Sequence, residues 1–397
     1  MIVKEEKKIS ILTPELDKKT KDFRHKLGIM KAGYPLLLNW NGSEADEWDI
    51  FPHIPVEKSV VYYGNDEYAY SHHQTICRFK DKLVVSWSNG FRHEDHYGQQ
   101  VHYSWSSDAV YWEPYSVLAR TSYNGSEAAG TVRNNAGLLA HGEKLYAYIG
   151  VCESRGNTGM GMNHMAPKKM TLDVYETGDL AEWKHNESIA DDIYLFEAPR
   201  PTLNEDLLCC GFDINDWQQG LVLLWKKGSD PAGSPEMIKL PRSREGIIPE
   251  QGTWYQQDDG RIYLFLRDGS LSMKLALSIS EDGGRTWSEP VRTDFPNTYS
   301  RAYSGRCDRD FYYIVGNNYD HYLDRSSLMI AVSKDGEVFD KMQIILDTPT
   351  TRRIDGYHKE NGFHYPNCLS EDGKIYTVCS ENKEDIVVAV IDSRYLI

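Results

Sequence analysis

Residues 72–102 hold five histidines, His72, His73, His93, His96 and His102, and two of them, His73 and His93, stand 20 residues apart. An imidazole titrates near neutrality, so such a pair can take a proton from a carbon next to a carboxylate and return one to a departing oxygen. Arg133 and Arg301, each beside a predicted strand start, are candidates to grip that carboxylate bidentately. His72 and Tyr365 stand at similar strand starts, as does Glu250, which can assist a phenol or bond backbone. The histidines could also ligate a divalent metal, with Glu94 and Asp95 completing its shell. No helical His-x-x-x-His spacing supports that use, and no other cofactor is implied.

These side chains need a scaffold, and a repeat supplies it. Four segments share Ser or Thr, Asp two residues later, then an aromatic: Ser106-Ser-Asp108 to Trp112, Thr177-Gly-Asp179 to Trp183, Ser280-Glu-Asp282-Gly-Gly-Arg-Thr-Trp287, and Ser333-Lys-Asp335-Gly-Glu-Val-Phe339. The aspartates are separated by 71, 103 and 53 residues, so a degenerate unit near Gly228-Ser-Asp230 would make the period uniform. Each copy follows a strand-like run, such as Gln100 to Trp105 or Leu328 to Val332. The motif therefore reads as a turn in which Asp and Ser bond nearby backbone N–H groups and the aromatic packs back on the sheet. Before each copy lie two strands joined by a polar turn, as in Trp254 to Phe265 and Asn367 to Val378.

Strand, hairpin, strand, Asp turn and strand make a four-stranded antiparallel blade. The expected fold is all-β: one β-propeller of six or seven blades spanning 1–397, with inner strands starting near 72, 133, 197, 250, 299 and 363. Residues 1–70 are less regular and would add a seventh blade or a strand closing the ring against Ile386 to Ile391. On this scaffold His73 and His93 can face one end of the channel. Trp254 and Tyr255 are possible stacking platforms for a sugar, but blade packing explains them better.

The stretch from Ser280 to Pro290 resembles the Asp box of the sialidase and BNR-repeat superfamily, and the likeness extends over most of 70–391, through Phe295 to Arg301, Tyr365-Pro366 and Lys383 to Asp385. That resemblance implies a propeller with its Asp boxes on the face away from any active site. It also implies an arginine triad, a tyrosine nucleophile helped by Glu, and an Asp acid, for which Arg133, Arg301, Tyr365 and Glu250 are the candidates. Where sialidases place an Arg-Ile-Pro motif, this chain has Ser71-His72-His73-Gln74. Together with Ser88 to Gln99, that start is more similar to ulvan lyases and rhamnose–glucuronate hydrolases and lyases, which use propeller histidines as catalytic groups.

The expected activity is therefore cleavage of a terminal glycosidic bond in a uronate-containing oligosaccharide, by lyase or hydrolase chemistry, with His73 and His93 as the acid–base pair. An exo-α-sialidase using Tyr365, Glu250 and an Arg cluster is the alternative enzyme, and a propeller that binds glycans or proteins without turnover is the alternative to catalysis. A net charge of −15 without a basic run argues against nucleic acid, leaving an acidic oligosaccharide as the expected partner. No stretch suits a membrane span or a signal peptide, and seven cysteines without C-x-x-C pairing suit reduced thiols. A cytoplasmic location is expected.

Overall fold

The computed structural model describes residues 10–12, 37–38, 51–121, 131–153, 169–318 and 322–397. The rest of the less regular N-terminal segment, including the stretch read for a signal peptide, lies outside the described residues apart from two short strands.

The apolar residues alternate along short strands, and each strand can bury both faces only if its sheet stands between two others. Six sheets solve this by arranging themselves in a ring. The first blade runs from the inside outwards through Tyr70–Phe79, Lys82–Gly90, Gln100–Ser106 and Ser116–Ala119. The second has Thr131–His141, Lys144–Glu153, Met170–Thr177 and Lys184–Asp191. In the third, the inner position is split between Ile193–Leu195 and Arg200–Pro201, followed by Leu207–Asp213, Asp216–Trp225 and Glu236–Lys239. The fourth uses Pro249–Gln256, Ile262–Asp268, Lys274–Ser280 and Val291–Pro296, and the fifth Tyr303–Cys307, Phe311–Gly316, Leu328–Ser333 and Lys341–Leu346.

The sixth blade combines Phe363–Glu371, Lys374–Glu381 and Asp385–Asp392 with Val56–Tyr62 as its fourth strand, on whose outer edge Ser10–Leu12 pairs. Ile386 faces Tyr62 and Ile391 faces Val56, so the ring closes by the second route expected from the sequence, and the described residues form six blades. The core confirms the count, because it divides into six apolar clusters, one at each junction between neighbouring blades. No described helix is long and apolar enough to cross a membrane, and all seven cysteines are unpaired.

The Asp motifs occupy the turn between third and fourth strands. Ser106 Oγ donates to Asp108 Oδ1, which accepts the N–H groups of Val110 (2.8 Å) and Tyr111 (2.9 Å). Thr177–Asp179, Ser280–Asp282 and Ser333–Asp335 repeat the arrangement. The degenerate unit is real: Asp230 accepts from Ala232 N–H at 2.9 Å in the corresponding turn of the third blade. Since strands alternate in direction, these turns lie at the end of the ring opposite the starts of the inner strands.

At that other end three inner strands carry the same defect. Between His72 and Thr75, Glu250 and Thr253, and His364 and Asn367, two residues oppose one on the neighbouring strand. The extra residue is a β-bulge, and the residues within these bulges, His73, Gln251 and Tyr365, have φ of 53°, 40° and 50°. Left-handed backbone is costly for side chains other than glycine and clusters at functional sites.

Candidate active site

The bulges bring His73, Gln251 and Tyr365 from three blades to one place. The Tyr365 phenol oxygen receives Gln251 Nε2 at 3.1 Å and an Arg267 guanidinium nitrogen at 3.0 Å. Arg267, at the end of the strand beside Glu250, also bonds Glu250 Oε2 through Nε at 3.0 Å. Tyr299 O–H donates to the same carboxylate oxygen at 3.2 Å, and its ring lies 4.2 Å from the Arg267 guanidinium. Charge developing on the Tyr365 oxygen is thus met by a fixed cation and an amide donor.

The histidines flank the other side of the phenol. The His72 ring lies 4.1 Å from that of Tyr365 and stacks on His73 at 4.5 Å, while His73 and Tyr365 are 6.0 Å apart. His72 Nδ1 contacts Glu94 Oε1 at 2.9 Å and Tyr70 O–H at 2.7 Å, while its buried Nε2 has no hydrogen-bond partner among the described residues. His73 Nδ1 approaches Ser88 Oγ at 3.3 Å. Burial holds both rings in the neutral form, lowering His73 to about 3 and His72 well below its ordinary value. Burial would raise Glu94, but Lys383, with Nζ 3.1 Å away, and His72 overcome it and hold the carboxyl well below the usual range. Asp95 goes the other way, to about 6, because of burial and the adjacent Glu94 charge.

His72, His73 and Glu94 offer ligand atoms within 4.8 Å of one another, a spacing that could hold a divalent ion. Glu94 already pairs with Lys383, however, and Arg325 lies 5.9 Å from the Tyr365 ring. Asp95 turns aside to accept from Tyr194 O–H at 3.0 Å. This cationic setting suits an anion better than a second cation.

Among the remaining sequence candidates, Arg301 is fully buried, and its charge acts on Tyr365 and His73. His93 is elsewhere. Its ring packs 4.5 Å from exposed Tyr357, its Nδ1 accepts Tyr357 N–H at 3.0 Å, and no hydrogen bond or ring contact among the described residues joins it to His73. Arg133 is not brought to Tyr365: its Nε bonds Arg120 carbonyl at 2.5 Å, and its guanidinium points to Asp173, 3.9 Å away on the third strand of its own blade. Trp254 and Tyr255 are interblade packing, with Trp254 Nε1 on Leu208 carbonyl and Tyr255 O–H on Gly336 carbonyl.

Arg267, Arg325, Lys383 and Gln251 were not singled out for the site from sequence. One signal was available for Arg267, a charge ending the otherwise apolar strand Ile262–Asp268 opposite Glu250.

A model of the BNR repeat-like domain matches residues 217–377, from the third blade into the sixth. Those residues are similar to BNR repeats, and the ring as a whole has the β-propeller fold of solved sialidases. A solved sialidase superposes with a TM-score of 0.63 at 17% identity over 86% of this propeller, which spans only 33% of that longer protein. The intramolecular trans-sialidase of Ruminococcus gnavus, solved with oseltamivir carboxylate, gives 0.61 at 11% identity, covering 85% of this chain and 97% of the other. A Dyadobacter fermentans protein of unknown function gives 0.63 at 12%, covering 84% and 97%. Comparison with curated proteins gives no match. The activities named among these structural relatives are those of sialidases, not of the uronate-acting enzymes that residues 71–99 resemble.

Proposed function

We propose that this propeller is a carbohydrate-active enzyme that cleaves a terminal glycosidic bond beside an acidic sugar, with a uronate-containing oligosaccharide as substrate. The observation that carries the reading is Tyr365, held in left-handed backbone with its phenol oxygen on Arg267 and Gln251 and its ring against His72. Arg325 and Arg301 have no carboxylate partner among the described residues, so a sugar carboxylate would supply the missing counter-charge.

Tyr365 and His73 then divide the proton transfers. In elimination, one removes the proton α to the uronate carboxylate, the electron pair forms the ring double bond, the glycosidic C–O bond breaks, and the other protonates the leaving oxygen. In hydrolysis, water supplies the new bond to the sugar. Tyr365 takes the place first given to His93, which instead stands with Tyr357 where an outer sugar could stack.

A second reading, exo-α-sialidase, is favoured by the chain Tyr365–Arg267–Glu250, which links a phenol to a carboxylate through a guanidinium. A screen of acidic oligosaccharides with product analysis separates the readings. Ultraviolet absorbance of an unsaturated uronate marks elimination, a saturated uronate marks hydrolysis, and free sialic acid marks the second reading. Glycan binding without turnover, unchanged in Tyr365→Phe, would leave a binding propeller instead.

A further inference from the structure

The groups gathered around the Tyr365 phenol are enclosed: His72 is 0% exposed, His73 2% and Tyr365 itself 7%. Anything dissolved that reaches them needs a way in. Two loops meet above the junction of the first and sixth blades, at the end of the ring where the inner strands start. Residues 91–99 follow the second strand of the first blade, and residues 347–362 lead into the inner strand of the sixth. Both bear on the histidines, because Glu94 holds His72 Nδ1 at 2.9 Å and the Glu360 carbonyl accepts from His364 Nε2 at 3.0 Å.

The second loop is held unevenly along its length. On one side of its middle, Arg353 pairs with Asp385, and the Ile354 N–H donates to Glu384 Oε1 at 2.8 Å. On the other, the buried Lys359 Nζ reaches the same Glu384 oxygen at 2.8 Å and the Ala69 carbonyl at 2.9 Å. Between these anchors the hydrogen bonds that cross to the first blade among the described residues belong to Tyr357. Its N–H donates to His93 Nδ1 at 3.0 Å, and its carbonyl accepts the Glu94 N–H at a long 3.5 Å. The half-exposed Tyr357 ring packs 4.5 Å from that of His93.

The backbones also touch. A Cβ at Gly356 would collide with the Arg92 carbonyl oxygen, although Gly356 is not in left-handed backbone. His358, with φ of 57°, does carry that strain. Firm ends, a thin middle closing on a neighbouring blade and a strained residue at the bend are the makings of a hinged lid.

We propose that residues 355–358 form a lid, closed in this structure by the clasp of Tyr357 on His93, whose opening exposes His72 and His73. The lid goes beyond the glycan-cleaving reading and stands without it. If the propeller turns over sugars, the lid opens before the substrate enters.

The test needs no sugar. Diethyl pyrocarbonate acylates neutral imidazoles of the intact protein, and mass spectrometry locates and times each product. His102 is the control: it lies in the same blade and is also 0% exposed, but its ring packs on Tyr68, Trp87 and Tyr115, outside both loops. In the wild type, His72 and His73 should react at least about tenfold faster than His102, because a local opening is more frequent than global unfolding. Gly356→Ala, which drives the two backbones apart, should raise the His72 and His73 rates by a further factor of about ten and leave His102 and Tm unchanged. His93→Ala removes the clasp acceptor without adding an atom, so it should act in the same direction and decides the matter if Gly356→Ala does not fold. Equal rates at all three histidines in the wild type overturn the lid, as does a variant that speeds all three together or none. Failure of glycan turnover would sink the enzyme reading and leave these rates as they are.

Discussion

The two ends of the ring are built on opposite terms. At the Asp-motif end the motif aspartates are satisfied within their own turns: Asp282 receives the N–H groups of Arg285 and Thr286 and the hydroxyls of Ser280 and Thr286. At the other end Tyr365 depends on Gln251 and Arg267 from the fourth blade and on His72 from the first, and Arg301 is satisfied by no described residue. The Asp-motif end can be assembled one blade at a time, whereas the end that holds Tyr365 exists only when the ring is complete. Unmet polar groups and left-handed bulges are tolerated where the rest of the ring holds them in place.

Substitutions that remove chemistry without removing packing should break this contrast first. Tyr365→Phe should lower kcat/KM on the substrate found by the screen by about 10²–10³-fold, with Tm near that of the wild type. His73→Ala should cost on the order of 10²-fold in kcat, whereas His93→Ala should cost less than about tenfold and mainly in KM, as expected for a contact outside the reaction centre. Equal losses in both histidine variants would restore the His73–His93 pair and remove Tyr365 from the proton transfers.

A smaller effect is expected in acid. Burial lowers the four enclosed histidines His72, His73, His102 and His364, with His73 and His102 at about 3 against an ordinary 6.5. The unfolded chain therefore binds more protons between those limits, and stability should fall as pH drops from about 6.5 towards 3. Asp95 and Asp294, both pushed up to about 6, act in the opposite sense, binding protons in the folded state, so they blunt the loss without reversing four histidines. At the far end, the Tyr111 N–H holds Asp108 and the Ala181 N–H holds Asp179 below the usual carboxylate range, so their contribution fades only in stronger acid. Urea unfolding followed against pH should show the loss already under way above pH 5, and a profile flat down to 4 would remove the histidine explanation.

The smallest effect belongs to the Asp motif itself. Asp282→Ala should cost about 1–2 kcal/mol of stability, as for loss of a capping carboxylate, while kcat and KM stay unchanged. A change in kcat would mean that the two ends are not independent.

This asymmetry also explains what could be read from the sequence. The Asp turns were legible, including the degenerate one at Asp230, because their hydrogen bonds run between residues two to four apart. The inner-strand starts followed from the repeat, and with them His72, His73, Glu250, Arg301 and Tyr365. What could not be read was which starts face one another across the ring. Arg267, Arg325 and Lys383 come from second-strand ends and the loops beyond them, where no local pattern marks them. Arg133 has the right position along its strand but turns towards Asp173, away from the channel. Residue type and strand position were visible, but side-chain direction depended on bulges that no sequence period records.

The pairing of Val56–Tyr62 with Asp385–Asp392 sets an order of events during synthesis. Val56 leaves the ribosome long before Ile391, so this strand, whose other edge pairs with Ser10–Leu12, must wait for its partner in the last blade while five blades form in sequence. Until it is paired, the sixth blade offers an open edge to any other nascent chain. The final join thus acts as a checkpoint: His72 and Tyr365 meet across the same junction between the sixth and first blades, so an unfinished ring has no assembled site.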